Sequence, residues 1–153
     1  MGQNSETQWE NGEFVVTCDT DRFDLDVISE FLSDSYWASG IPKQLVEKSI
    51  RNSLGFAVLN GEQQVGFARI ISDYATFAYL GDVFILPEFR GKGLSKWLME
   101  CIQSHSDLQD LRRWVLATSD AHGLYHQYGF TPLSRPDRFL EKHDPDVYRC
   151  KPE

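Results

Sequence analysis

The run Arg90-Gly91-Lys92-Gly93-Leu94-Ser95, with Lys96 behind it, holds the residues of this 153-residue chain whose types and spacing could do chemistry. It stands between a strand-forming stretch (Val83, Phe84, Ile85) and an apolar stripe at helical spacing. It therefore reads as a glycine-rich turn from strand into helix. Such a turn leaves backbone N–H groups unpaired at the positive end of the helix dipole, a natural cradle for a pyrophosphate. Gly91 and Gly93 let the backbone approach the phosphates, and Arg90, Lys92 and Lys96 supply positive charge. Two common phosphate loops do not fit. The nucleoside-triphosphate loop needs glycine, four residues, then Gly-Lys-Ser/Thr, but position 86 is Leu86 and Lys92 is followed by Gly93. The dinucleotide fingerprint needs glycine or alanine where Lys96 stands, within a repeated parallel unit that this chain lacks.

A second run, Leu124-Tyr125-His126-Gln127-Tyr128-Gly129-Phe130, follows about 30 residues later. With the first, it resembles the GNAT (Gcn5-related N-acetyltransferase) family. Residues 83–95 are similar to that family's acetyl-coenzyme A loop, Arg/Gln-x-x-Gly-x-Gly/Ala, preceding strand included. Residues 124–130 resemble its second motif, a helix that carries a tyrosine and ends in Gly-Phe. The resemblance covers about residues 13–150 and implies an α+β GNAT fold. That fold has a mixed, largely antiparallel central sheet, about four flanking helices and a splayed parallel strand pair.

The resemblance also implies roles. Acetyl-coenzyme A is the co-substrate, with no metal, and its acetyl group passes directly to an amine in a ternary complex. The backbone of Val83, Phe84 and Ile85 holds the pantetheine arm, and Gly91 to Lys96, with Arg90, hold the pyrophosphate. Thr118 stands where the family often has an asparagine that contacts the cofactor. Tyr125 matches the general acid beside the sulfur. A phenol of pKa about 10 can protonate a thiolate whose conjugate acid is near 8.5, because the mismatch is only a unit or two. A main-chain N–H near Phe84 would stabilise the oxyanion. Where some members carry a glutamate base, this chain has Tyr79 and Arg113. Asp82 is the substitute base expected here, with a water relay through Asp73, Tyr74 or Tyr79 as the alternative. Tyr36-Trp37 would border the acceptor groove or pack in the core. An acyl-coenzyme A binding or sensing module without catalysis is the rival reading.

The elements that must position these residues are legible from periodicity. Strands are expected at 14–17, 54–59, 64–71, 76–86 and 113–117, the last one parallel to its predecessor. Asn60-Gly61 marks a hairpin with positive φ at both positions. Helices are expected at 24–32, capped by Asp24, and from Pro42 to about 51, with Leu45, Val46 and Ile50 inward. Two more are expected at 94–105, striped by Leu94, Trp97, Leu98, Cys101 and Ile102, and at 122–128, closed by Gly129. Phe130-Thr131 and a hairpin around Phe139 and 147–149 would complete the sheet. Residues 1–12 read as a flexible leader to a single domain at 13–153.

Composition bounds the rest. Apolar residues are 41% and aromatics 13%, enough for a core. Lys plus Arg total 15 against 23 Asp plus Glu, a net charge of −8, which argues against general nucleic-acid binding and weakly favours a cationic small-molecule or peptide amine. No apolar run approaches the roughly 20 residues that cross a bilayer, and the polar start lacks a signal-peptide profile, so a cytoplasmic location is expected. A homodimer is an admissible assembly. Cys18, Cys101 and Cys150 show no Cys-x2-Cys spacing and none lies in either motif, so reduced thiols and no acyl-enzyme are expected.

Overall fold

The structure, a computed structural model, describes residues 8–149. β1 (Gln8–Asn11), β2 (Phe14–Thr17), β3 (Leu54–Asn60), β4 (Gln63–Ser72), β5 (Phe77–Ile85) and β6 (Arg113–Leu116) form one six-stranded sheet in sequence order. Neighbours are antiparallel except β5 and β6, which are parallel. α1 (Leu25–Ser33) and α2 (Lys43–Arg51) precede β3. α3 (Leu94–Ser104) is the crossover from β5 to β6, and α4 (His122–His126) follows β6. This is the mixed α+β architecture that the sequence implies.

Local chemistry sets the element starts. The Asp24 side chain accepts the Val27 N–H at 3.2 Å and caps α1 as expected. Pro42 stands one residue before α2, where its fixed φ costs nothing. The core forms two clusters, one on each face of the sheet. Ile28, Leu32, Val46 and Ile50 of α1 and α2 meet Phe67 and Phe84 on one side. Leu94, Leu98, Met99, Cys101 and Ile102 of α3 meet Phe56, Val58, Ile70 and Leu80 on the other.

Some expectations are corrected. The polar start carries β1, paired with β2 from Gln8–Thr17 to Asn11–Phe14, so the leader reading fails at 8–11; residues 1–7 lie outside the described ones. Leu45 is 40% exposed, because Val46 and Ile50 already fill the inward stripe at i, i+4. Asn60 belongs to β3 and pairs with Gln63, leaving Gly61-Glu62 as the loop and positive φ at Gly61 alone. No strand follows β6 among the described residues. Residues 131–149 are irregular and mostly exposed, with one 3-10 turn at Pro136–Arg138. Pro132, Pro136 and Pro145 remove ladder donors across that segment, and its apolar positions do not alternate.

Candidate active site

β5 outruns its parallel partner. Their pairing ends at Leu80 and Leu116, whereas β5 continues to Ile85, so residues 81–85 have no neighbour on that edge. The register against β4 slips at the same place: Phe67 faces Phe84, but Arg69 faces Gly81. Asp82 and Val83 thus oppose the single residue Ala68 in a β-bulge, and Asp82 takes φ 55°, which aspartate tolerates better than most side chains. The bulge reverses side-chain alternation. Leu80 faces the α3 cluster, while Phe84 turns to the opposite face and stacks on Phe31 of α1, with centroids 4.0 Å apart and planes 10° apart. The Leu86 N–H donates to the Val65 carbonyl at 2.8 Å. Alternation therefore points the Phe84 amide at β4 and the Ile85 amide into the open gap.

The chain leaves β5 through a 3-10 turn at Pro87–Phe89, and Arg90 Nε donates back to the Ile85 carbonyl at 2.9 Å. Gly91 and Gly93 have φ of 81° and 78°, and a Cβ added at either would meet no atom within 4 Å. Gly93 precedes α3, whose N-terminus has no side-chain cap and no acidic residue in its first turn. Leu94 is buried and seats the helix, Ser95 is half-buried, and Lys92 and Lys96 are exposed. Orphan N–H groups, open space above two glycines and two free-standing cations fit a pyrophosphate. Leu94 shapes this cradle from the core, while Arg90 holds the turn through Nε and is itself exposed.

Tyr125 is buried on α4, edge-on to Phe130 at 6.0 Å, within the α3 cluster. Burial first, then the charges of Asp120 and Tyr36, push its phenol above the ordinary value. Among the described residues no protein group accepts its proton, and no buried side-chain polar atom is left unpaired, so the hydroxyl reaches open space. Gly129, with φ 92°, ends the segment, and Tyr128 donates to the Lys96 carbonyl at 3.0 Å, tying the end of the Tyr125 segment to the first turn of α3. Thr118 Oγ1 accepts the Ala121 N–H at 3.1 Å and so organises the entry to α4. Among the described residues no group of three or more His, Cys, Asp or Glu side chains could hold a metal.

Asp82 is already engaged through both oxygens. Trp37 Nε1 donates to Oδ1 at 2.9 Å, and Arg69 Nε donates to Oδ2 at 2.8 Å. The Arg69 and Asp82 side chains are only 17% and 11% exposed. Next door, Ser119 Oγ donates to the Tyr36 hydroxyl at 2.9 Å, and the two rings of Tyr36 and Trp37 pack edge-on at 5.1 Å. Tyr36-Trp37 is therefore not core. It joins the β5 bulge to the segment after β6, across the place where the strands part. Asp73 and Tyr74 lie in the β4–β5 turn, where Thr76, Ala75 and Phe77 hydrogen bonds hold the Asp73 carboxyl well below the usual range. Roughly 20 Å of strand separates that turn from Val83, too far for a proton relay. Arg69 and Ser119 escaped the sequence reading. Arg69 left one signal, a cation inside the otherwise apolar run Val65-Gly66-Phe67-Ala68-Arg69-Ile70.

Known proteins share this arrangement. The sequence profile of the acetyltransferase (GNAT) domain matches residues 51–132. A GNAT-family crystal structure from Xanthomonas campestris pv. campestris is 52% identical, covers 90% of this chain and 97% of its own, and superposes with a TM-score of 0.88. A provisionally named acetyltransferase of Gibberella zeae is 30% identical over 138 residues, covering 76% of this chain and 78% of that protein. An acetyl-coenzyme A complex of a GNAT acetyltransferase from Elizabethkingia anophelis shares the fold at 12% identity and a TM-score of 0.59, covering 79% of this chain and 78% of its own. The chain belongs to the GNAT acetyltransferase family.

Proposed function

We propose that this protein is an N-acetyltransferase that passes the acetyl group of acetyl-coenzyme A directly to an amine, on a small molecule or a peptide. What supports this reading is that the unpaired end of β5, the uncapped glycine turn into α3 and a buried phenol that retains its proton border one packed cluster, to which Ile85, Leu94 and Tyr125 all belong. Acetyl-coenzyme A supplies the activated acetyl thioester. The unpaired edge at Val83–Ile85 binds the pantetheine arm as an added strand, and Lys92, Lys96 and the N–H groups of Gly93 to Ser95 face the phosphates. The gap-facing amide of Ile85 donates to the carbonyl oxygen where charge gathers. As the C–S bond breaks Tyr125 gives its proton to the departing sulfur, and the proton that the nitrogen sheds on becoming an amide passes to water and so restores the phenol. Its active form is the protonated one, so its contribution holds below its pKa and is lost above it. Because that pKa is raised, loss from this group falls above pH 10.

No thiol intermediate is part of this scheme. Burial pushes Cys18 and Cys101 up to about 12, so neither is a thiolate at neutral pH. Their free, shielded state suits a cytoplasmic setting where thiols stay reduced. Iodoacetamide at mildly alkaline pH should leave both unmodified in the folded protein, as read by peptide mass mapping. Rapid alkylation of either would reopen an acyl-cysteine route.

Asp82 accepts from Trp37 and Arg69 through its two oxygens, and the scheme takes the amine in its neutral fraction, with Asp82 holding Trp37 in place. Asp82→Asn keeps an acceptor for the indole and loses the ion pair. The expected result is a several-fold rise in acceptor KM with the acidic limb of the pH–rate profile intact. Disappearance of that limb would make Asp82 the base after all. The decisive experiment for the whole reading is an amine screen that follows free thiol release from acetyl-coenzyme A. Thiol release above the hydrolytic background supports transfer. Tight coenzyme A binding without release from any amine favours the acyl-coenzyme A sensing module, which the occupied Asp82 carboxylate leaves as the second reading.

A further inference from the structure

A groove of about 650 Å³ runs beside α1 to the end of β5. Val27, Phe31, Trp37 and Leu86 line its walls, and Glu30 and Asp34 stand exposed at its rim. Its inner end is next to the catalytic gap. Phe31 stacks on Phe84, Leu86 follows the unpaired strand end, and Trp37 is bonded to the Asp82 bulge. The rim charges are poorly placed for the fold itself. Glu30 and Asp34 are like charges four residues apart, at the C-terminal end of a helix whose last turn has no basic residue. Repulsion at that spacing and the negative end of the dipole both disfavour them, and neither makes an ion pair among the described residues. A bound cation would relieve both effects. The walls add a second attraction, because the indole of Trp37 is locked by Asp82 and can present a fixed face to a cation.

We propose that this groove selects the acceptor: a primary amine whose apolar chain carries a second positive charge at its far end. The reacting amine enters at the gap, the chain lies along Phe31, Trp37 and Leu86, and the distal cation sits between Glu30 and Asp34. This rests on the acetyl-transfer reading, and its test separates the two. Hexane-1,6-diamine and hexylamine share the reacting group and chain and differ only in the distal charge. Their KM values with acetyl-coenzyme A, and their affinities by calorimetry with coenzyme A bound, are compared in wild type and in Glu30→Gln/Asp34→Asn. Both substitutions are on exposed side chains, and a melting curve confirms folding.

The diamine should be favoured about fivefold by exposed pairing of this kind, with the advantage shrinking in about 0.5 M sodium chloride, where screening acts within about 4 Å. The double variant should bring the ratio of the two amines close to one. Equal handling of both amines by wild type, a ratio unchanged in the double variant, or no binding of either amine overturns the proposal. A diamine preference in calorimetry without thiol release from either amine leaves the groove standing and removes the transferase reading. Thiol release from both without preference does the reverse.

Discussion

Tyr125→Phe is expected to lower turnover by about 10²–10⁴-fold, the usual range for a lost general acid, while coenzyme A affinity stays level. The substitution removes one oxygen. The ring keeps its edge-on contact with Phe130 and its place against α3. Stability should hardly change, because the hydroxyl makes no protein hydrogen bond among the described residues whose loss would register. This sharpens the experiment. A structural tyrosine would lose roughly 1 kcal/mol of stability with turnover intact, the opposite pattern. Turnover and melting temperature on the same preparation read both quantities. A fall of less than about threefold would remove Tyr125 from the acid role and leave the leaving thiolate to depart unprotonated.

Gly93→Ala is expected to weaken coenzyme A binding by more than about tenfold, a loss of at least 1.4 kcal/mol. Two effects act at this position. The added Cβ projects into space that no protein atom fills, where the phosphates would approach. A left-handed φ of 78° also strains any side chain by about 1–2 kcal/mol. The strain alone should lower the melting temperature by a few degrees for a chain of this size. Pantetheine, which lacks the pyrophosphate, separates the two effects. Its weak affinity should survive the substitution if the cradle reading holds. Equal losses for pantetheine and coenzyme A would mean that the loop has merely been distorted, and unchanged coenzyme A affinity would sink the assignment of the loop.

Much of the fold was legible because its signals are local. Asp24 caps the helix that its spacing predicts, and the apolar stripe from Leu94 to Ile102 becomes the buried face of α3. Gly91, Gly93 and Gly129 take positive φ where the motifs need it. Errors arose where neighbours decide. Nothing in Gln8 to Asn11 announces a strand, since β1 exists by pairing with β2. Phe139 and Val147 look like strand residues, but Pro136 before the first and Pro145 before the second deny them a ladder. Tyr36 and Trp37 could not be sorted between core and groove, because that depends on Ser119 and Asp82, which lie 83 and 45 positions away.

Residue types and short-range spacing by themselves determined the class of the molecule: the order of its elements from β2 to α4, its glycine turn into α3 and the tyrosine before Gly129. These features rest on backbone propensities and periodicities that act within a turn or two of chain. Only the tertiary structure decided the role of each polar group at the gap. The Asp82–Val83 bulge is a mismatch of register between two strands, so no single segment encodes it. That bulge turns Phe84 toward α1 and delivers the Asp82 carboxylate to Arg69 and Trp37, beside the edge of β5 that β6 leaves open. Whether a carboxylate is free to take a proton depends on which donors reach it in space, and those donors come from distant parts of the chain.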